Sequence, residues 1–179
     1  MLLIMKKTKN IAFCAICAAI ISVIMLLGYI PNLTYTVPAV AGLVLLVVLI
    51  EANLKYTIAT YVVSAIISFF IAEIEVKILF ILLFGVYPWL KSIIEKIKNI
   101  ALSFVVKILY FNVSAAVFYV IITLLTGINL FGSDIKTTLF TVLFLIAANF
   151  VFLLYDFALT RLSTFYIIRL HGAVNKLLR

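Results

Sequence analysis

From Ile11 to Ile30 no residue carries a charge, and apolar runs of similar character return along the rest of the chain. A helix in a water-soluble protein must keep a polar face, whereas these runs have few polar breaks, as a lipid-facing helix requires. The chain is 68% hydrophobic and only 11% charged, where soluble domains carry about 25% charged residues. Lipid is therefore the expected solvent for most of it. Its 179 residues leave room for one compact membrane domain and none for a separate soluble catalytic domain.

Six spans are expected, at about 11–30, 37–54, 56–72, 78–90, 100–125 and 137–160. The fold expected is an all-α membrane protein, a single transmembrane domain over 1–179. The second span ends through Glu51, and the fourth has a shorter uncharged run before Lys91 than the roughly 20 residues of a perpendicular helix; tilt or a partly re-entrant path would accommodate either. Two segments read as amphipathic and interfacial, about 91–99 and 161–179. In the first, Ile93, Ile94 and Ile97 share a face and charges occupy the rest; in the second, Phe165, Ile168 and Leu178 lie among basic residues. Lys6, Lys7 and Lys9 before an apolar run resemble a secretory signal, but the run is long enough to span and further spans follow, so a retained first helix is expected.

With six spans, one side of the membrane receives Lys6, Lys7, Lys9, Lys55, Lys91, Lys96, Lys98, Arg161, Arg169, Lys176 and Arg179, and the other receives Lys77 and Lys136. The positive-inside rule then places both termini in the cytoplasm. The net charge of +8 is spread over helix ends rather than gathered into a patch or stripe, which argues against nucleic acid as a partner. Anionic lipid headgroups suit the distribution better.

Enzymatic signatures are missing from the sequence: there is no Walker loop, Gly-x-Ser-x-Gly elbow, His-Glu-x-x-His pair or kinase set. Asp156 is the only acid well inside a span, so a two-aspartate protease site cannot be assembled. Ser64, Ser68, Ser103 and Ser114 are available hydroxyls, but in membrane helices such groups more often bond the preceding turn or a neighbouring helix. Cys14 and Cys17 have no second cysteine pair or nearby histidine to complete a site, and read as small packing residues. His171 is the one histidine. The reading is a non-enzyme with no catalytic residues, metal or cofactor.

Polar groups at membrane depth are costly and are where a functional reading begins. Lys107 and Asn112 fall in the fifth span, Asn149 and Asp156 in the sixth, and these spans are antiparallel. Facing residues of antiparallel neighbours keep a nearly constant sum of residue numbers; Lys107 with Asp156 gives 263 and Asn112 with Asn149 gives 261. One register therefore serves an ion pair and an amide pair. The alternatives are that Lys107 snorkels to the headgroups and that Asp156 pairs with Arg161. In the outer loops Asn32, Tyr35, Asn129 and Asp134 are candidates to ring a solute, although charged loop residues are usually just solvated.

In the first span, Ile11-Ala-Phe-Cys-Ala-Ile-Cys-Ala-Ala19 places Ala12, Ala15 and Ala19 on one face. Ala15 and Ala19 form a small-xxx-small pair of the kind that lets helix backbones approach closely. A basic N-terminus leading into such a helix, in a six-span protein of this size, resembles the substrate-binding S components of energy-coupling factor (ECF) transporters. Phe84-Gly-Val-Tyr-Pro-Trp-Leu-Lys91 and Lys107-Ile-Leu-Tyr-Phe-Asn112 are similar to segments of small bacterial membrane proteins near that superfamily. The resemblance implies a multi-pass protein of the bacterial cytoplasmic membrane that captures a micronutrient near the outer face. It also implies docking of the alanine face on the transmembrane coupling subunit, which works with two ATP-binding-cassette ATPases. A scaffold that transports nothing, resembling the bacterial cell-shape component MreD, has the same size and hydropathy and would use an alanine face equally well.

Overall fold

The computed structural model describes residues 2–127 and 135–169. Among these, every element is helical and no strand occurs. The helices are α1 (Leu2–Leu26), α2 (Thr36–Ala52), α3 (Leu54–Ile71), α4 (Ile74–Leu79), α5 (Tyr87–Ile94), α6 (Ile100–Thr126) and α7 (Ile135–Arg169). Five segments are long and apolar enough to cross a bilayer: Thr8–Tyr29, Leu54–Ile71, Ile74–Ile94, Ile100–Leu125 and Thr141–Arg169. The second expected span appears as the shorter apolar helix Thr36–Ala52. The chain is a membrane protein by this architecture.

Local chemistry explains the breaks. A 3-10 turn, Leu27–Tyr29, follows α1, and a Cβ on Gly28 would lie 2.6 Å from a Val76 methyl, so only glycine permits this approach. Asn53 alone separates α2 from α3, at φ 89° and ψ 162°, a region that is nearly glycine-only. The fourth span was expected to open at Ile78, after Lys77, but its first helix opens at Ile74. Glu75 and Lys77 lie within this helix, because charges are tolerated where a helix end reaches polar surroundings. Lys77 Nζ donates to the Phe69 carbonyl at 3.2 Å and sits 5.0 Å from the Phe69 ring centre. Between α4 and α5 the backbone opens into a π-helical turn, Phe80–Phe84, in which the Gly85 amide donates to the Phe80 carbonyl. Asn99 caps α6 by accepting from the Ala101 and Leu102 amides, and Gly127 ends it in the left-handed conformation.

By contact the chain divides into two compact units. The first comprises the residues up to Ile93 together with those from Leu159, and the second runs from Ile94 to Ala158.

In the first unit α1, α2 and α3 pack pairwise around Ile21, Met25, Val37, Ala41, Leu45, Val76 and Phe80. Cys17 packs with Val48 and Ala52, and neither cysteine is in a disulfide. The inward stripe of α3 is made of hydroxyl residues: Thr57, Thr60, Ser64 and Ser68 are all buried. Thr57, Thr60 and Ser64 donate to the carbonyls four residues back, which satisfies them inside their own helix and leaves a narrow surface for close packing.

The second unit is the antiparallel pair of α6 and the earlier part of α7, joined at mid-height by the stacked rings of Phe111 and Phe152, 4.7 Å between centres. A span boundary was expected near Thr160, but α7 continues unbroken to Arg169, since no residue between them stops a helix. The expected interfacial face at 91–99 also differs. Lys91 is buried beside Ile94, its Nζ donating to Thr160 Oγ1 at 2.7 Å, whereas Ile93 is exposed. A hydroxyl acceptor at the right height lets the lysine turn inward.

Candidate functional site

The outward surface of α1 is built by its periodicity. Cys17, Ala18, Ile21, Ser22 and Met25 are buried in the bundle, and Ser22 Oγ donates to the Ala18 carbonyl. Ala12, Ala15 and Ala19 lie beside this buried stripe and are all exposed. Bulky neighbours flank them, with Ile11 59%, Ile16 60% and Val23 64% exposed. The alanines thus make a low, methyl-lined strip on the exposed surface, of the kind that allows a second helix to approach closely. Intramolecular packing uses the other small pair of the same helix, Ala18 and Ser22.

The second unit concentrates the membrane-depth polar groups. Lys107 Nζ donates to Asp156 Oδ2 at 2.9 Å and to Glu95 Oε1 at 3.3 Å. The lysine and aspartate side chains are 10% and 17% exposed, while Glu95 is 46% exposed. Lys107 lies seven residues into α6, or roughly 10 Å from its start, so its stem must run back toward Glu95 near the helix end. Asn112 and Asn149 exchange amide hydrogen bonds at 3.0 and 3.2 Å. Each amide nitrogen also donates to its own helix, Asn112 to the Ile108 carbonyl and Asn149 to the Leu145 carbonyl. Both amide N–H pairs are thereby used internally, which suits a structural clamp between helices.

Sequence reasoning missed Glu95, which it assigned to the polar side of the interfacial segment. The signal was there: a lysine at this depth extends toward the helix end, where Glu95 is the near acid. The stripe of hydroxyls on α3 was also missed as an inward face, because Ser and Thr interrupt hydropathy without indicating direction.

Of the solute candidates, Asn32 is exposed with φ 70°, and Tyr35 is exposed just before α2. Desolvation and, second, the Glu75 carboxylate push the Tyr35 phenol above its ordinary value. Asn129 and Asp134 lie outside the described residues. Two clefts, of about 300 and 190 Å³, have walls that are almost wholly apolar, and neither includes Asn32 or Tyr35. No cluster of histidine, cysteine and acidic residues suited to a metal occurs among the described residues.

Comparison with protein-family models, with curated proteins and with solved structures gives no match.

Proposed function

We propose that the chain is a membrane-embedded assembly subunit without chemistry of its own, which docks on a partner helix in the bilayer through the alanine face of α1. The observation that carries this reading is the outward position of Ala12, Ala15 and Ala19 on a helix that has another small pair, Ala18 and Ser22, turned inward. Exposed alanines between bulky residues gain little from lipid contact and much from close contact with a backbone. In its specific form, the proposal is a substrate-capture subunit of an ECF-type micronutrient transporter in the bacterial cytoplasmic membrane. It would have six spans, both termini in the cytoplasm, and a separate coupling subunit with ATP-binding-cassette ATPases. The Lys and Arg distribution supports the orientation, and the resemblance of the first helix supports the role. Solute capture would use the outer loops around Asn32 and Tyr35.

The second reading is a scaffold of the MreD kind. It draws support from the filled interior of the first unit, where Ile21, Met25, Leu45 and Phe80 are each fully buried. Affinity copurification from native membranes in mild detergent separates the two. Recovery of ATP-binding-cassette ATPases with a coupling membrane subunit supports transport; recovery of cell-shape proteins alone supports the scaffold and overturns the transporter form. Recovery of no membrane protein overturns both.

A further inference from the structure

We propose that the cleft between α2 and the last turns of α7 binds an anionic phospholipid, with one acyl chain in the cleft and the phosphate at Arg169. The cleft measures about 190 Å³, and its walls are Leu43, Leu46, Val47 and Ile50 of α2 and Leu162 and Phe165 of α7. The α2 residues repeat at the spacing of one helical face, and so do Leu162, Phe165 and Tyr166. Apart from Tyr166, whose hydroxyl is bonded to Glu51, the lining is aliphatic and aromatic hydrocarbon, which suits a run of methylenes.

One end of the slot is polar. Tyr166 OH donates to Glu51 Oε1 at 2.9 Å and closes the cleft there. Leu162, one turn before Tyr166, shares the cleft with residues that precede Glu51, so α2 and this part of α7 run in the same direction. Arg169 therefore lies about 4.5 Å beyond Tyr166 along the helix, past the level at which α2 ends at Ala52. Its guanidinium stacks over the Phe165 ring, 5.9 Å from the centre, which ties the charge to the cleft wall.

Charge at this end selects the headgroup. The start of α1 and the junction of α2 with α3 bring Lys9 and Lys55 to the same end of the first unit as Arg169. Glu51 is the one acid there among the described residues of that unit, and its carboxylate accepts from Tyr166. Clustered cations beside the apolar boundary attract anionic lipids over zwitterionic ones. Phe165 and Leu162 remain 53% and 41% exposed, so the slot is open to a lipid entering from the bilayer.

The test is thermal melting of the detergent-solubilised full chain with added phosphatidylglycerol, with phosphatidylcholine of the same chains, and with glycerol phosphate. A ligand bound only to the native state raises its stability by mass action. Phosphatidylglycerol should raise the melting temperature by about 2–4 °C more than phosphatidylcholine, and glycerol phosphate should leave it unchanged. Arg169→Gln should erase the difference between the two lipids, and Val47→Trp, which fills the slot, should remove stabilisation by both. Equal effects of the two lipids on the unaltered protein, an effect of glycerol phosphate equal to that of phosphatidylglycerol, or a preference that survives Arg169→Gln would overturn the proposal. A second measurement avoids variants: phosphatidylglycerol with a photoactivatable acyl chain should attach to residues 43–50 and 162–165. Adducts spread evenly over the exposed face of α6 instead would also overturn it.

Discussion

Lys107 Nζ lies 2.9 Å from Asp156 Oδ2 across the α6/α7 interface, with both side chains largely withdrawn from the surface. Removing one partner strands a charge at low dielectric, at a cost of about 3–5 kcal/mol, whereas replacing both with apolar residues costs much less. Glu95 makes the two single variants unequal. Lys107→Met leaves two carboxylates without their shared cation, while Asp156→Leu leaves Lys107 still bonded to Glu95. The expected order of melting temperatures is Lys107→Met lowest, Asp156→Leu next, and the double variant above both. A double variant as damaged as the sum of the two singles would show that they are not energetic partners.

This register is legible in the sequence because α6 and α7 are long, antiparallel and carry few charged or amide side chains, so the few that exist constrain one another. Facing of α1 is not legible. The helix is apolar on every side, and it carries two small pairs, Ala15 with Ala19 and Ala18 with Ser22, that hydropathy cannot rank. The π-helical turn at Phe80–Phe84 leaves no mark in composition; the features that accompany it, the close approach of Gly85 to Tyr61 and the Tyr61 bond to the Ile81 carbonyl, are contacts in space. The reach of α7 to Arg169 was masked by Arg161, which reads as a span end but sits mid-helix.

Asn53 holds a positive φ with ψ near 162° and its side chain makes no capping hydrogen bond to α3. A non-glycine residue in this region costs about 1–3 kcal/mol. Asn53→Gly should therefore raise stability by about 1 kcal/mol, and Asn53→Val should lower it; denaturant titration in detergent reads both.

Tyr61 OH donates at 2.7 Å to the Ile81 carbonyl within the π-helical turn, where the register of backbone bonding has shifted. Tyr61→Phe leaves that carbonyl without this donor and should cost about 1–3 kcal/mol. Gly85→Ala should be at least as damaging, because the new Cβ would stand 2.7 Å from Tyr61 Cε2 and 2.8 Å from the Phe80 carbonyl oxygen, which is backbone and cannot swing away. Melting temperatures of the two variants, with unchanged helical content, check this.

Ser68 Oγ is buried without a hydrogen-bond partner, while Ser64 Oγ donates to the Thr60 carbonyl at 2.8 Å. An unsatisfied buried hydroxyl is unfavourable, so replacing it with a methyl group should cost nothing or add up to about 1 kcal/mol. Ser68→Ala is thus expected to melt at or above the unaltered protein, and Ser64→Ala at or below it.

Docking through the outward face of α1 is tested most directly by three substitutions on that helix. Ala15→Leu with Ala19→Leu places bulk on the exposed side, and Ala18→Leu places it in the bundle, where Ala18 is 4% exposed. Overpacking a close interior contact costs about 1–3 kcal/mol, so Ala18→Leu should lower the melting temperature. Ala15→Leu/Ala19→Leu should leave the melting temperature unchanged and abolish recovery of the partner membrane protein in affinity copurification. Full recovery of that partner by Ala15→Leu/Ala19→Leu would contradict the assignment of this face to assembly.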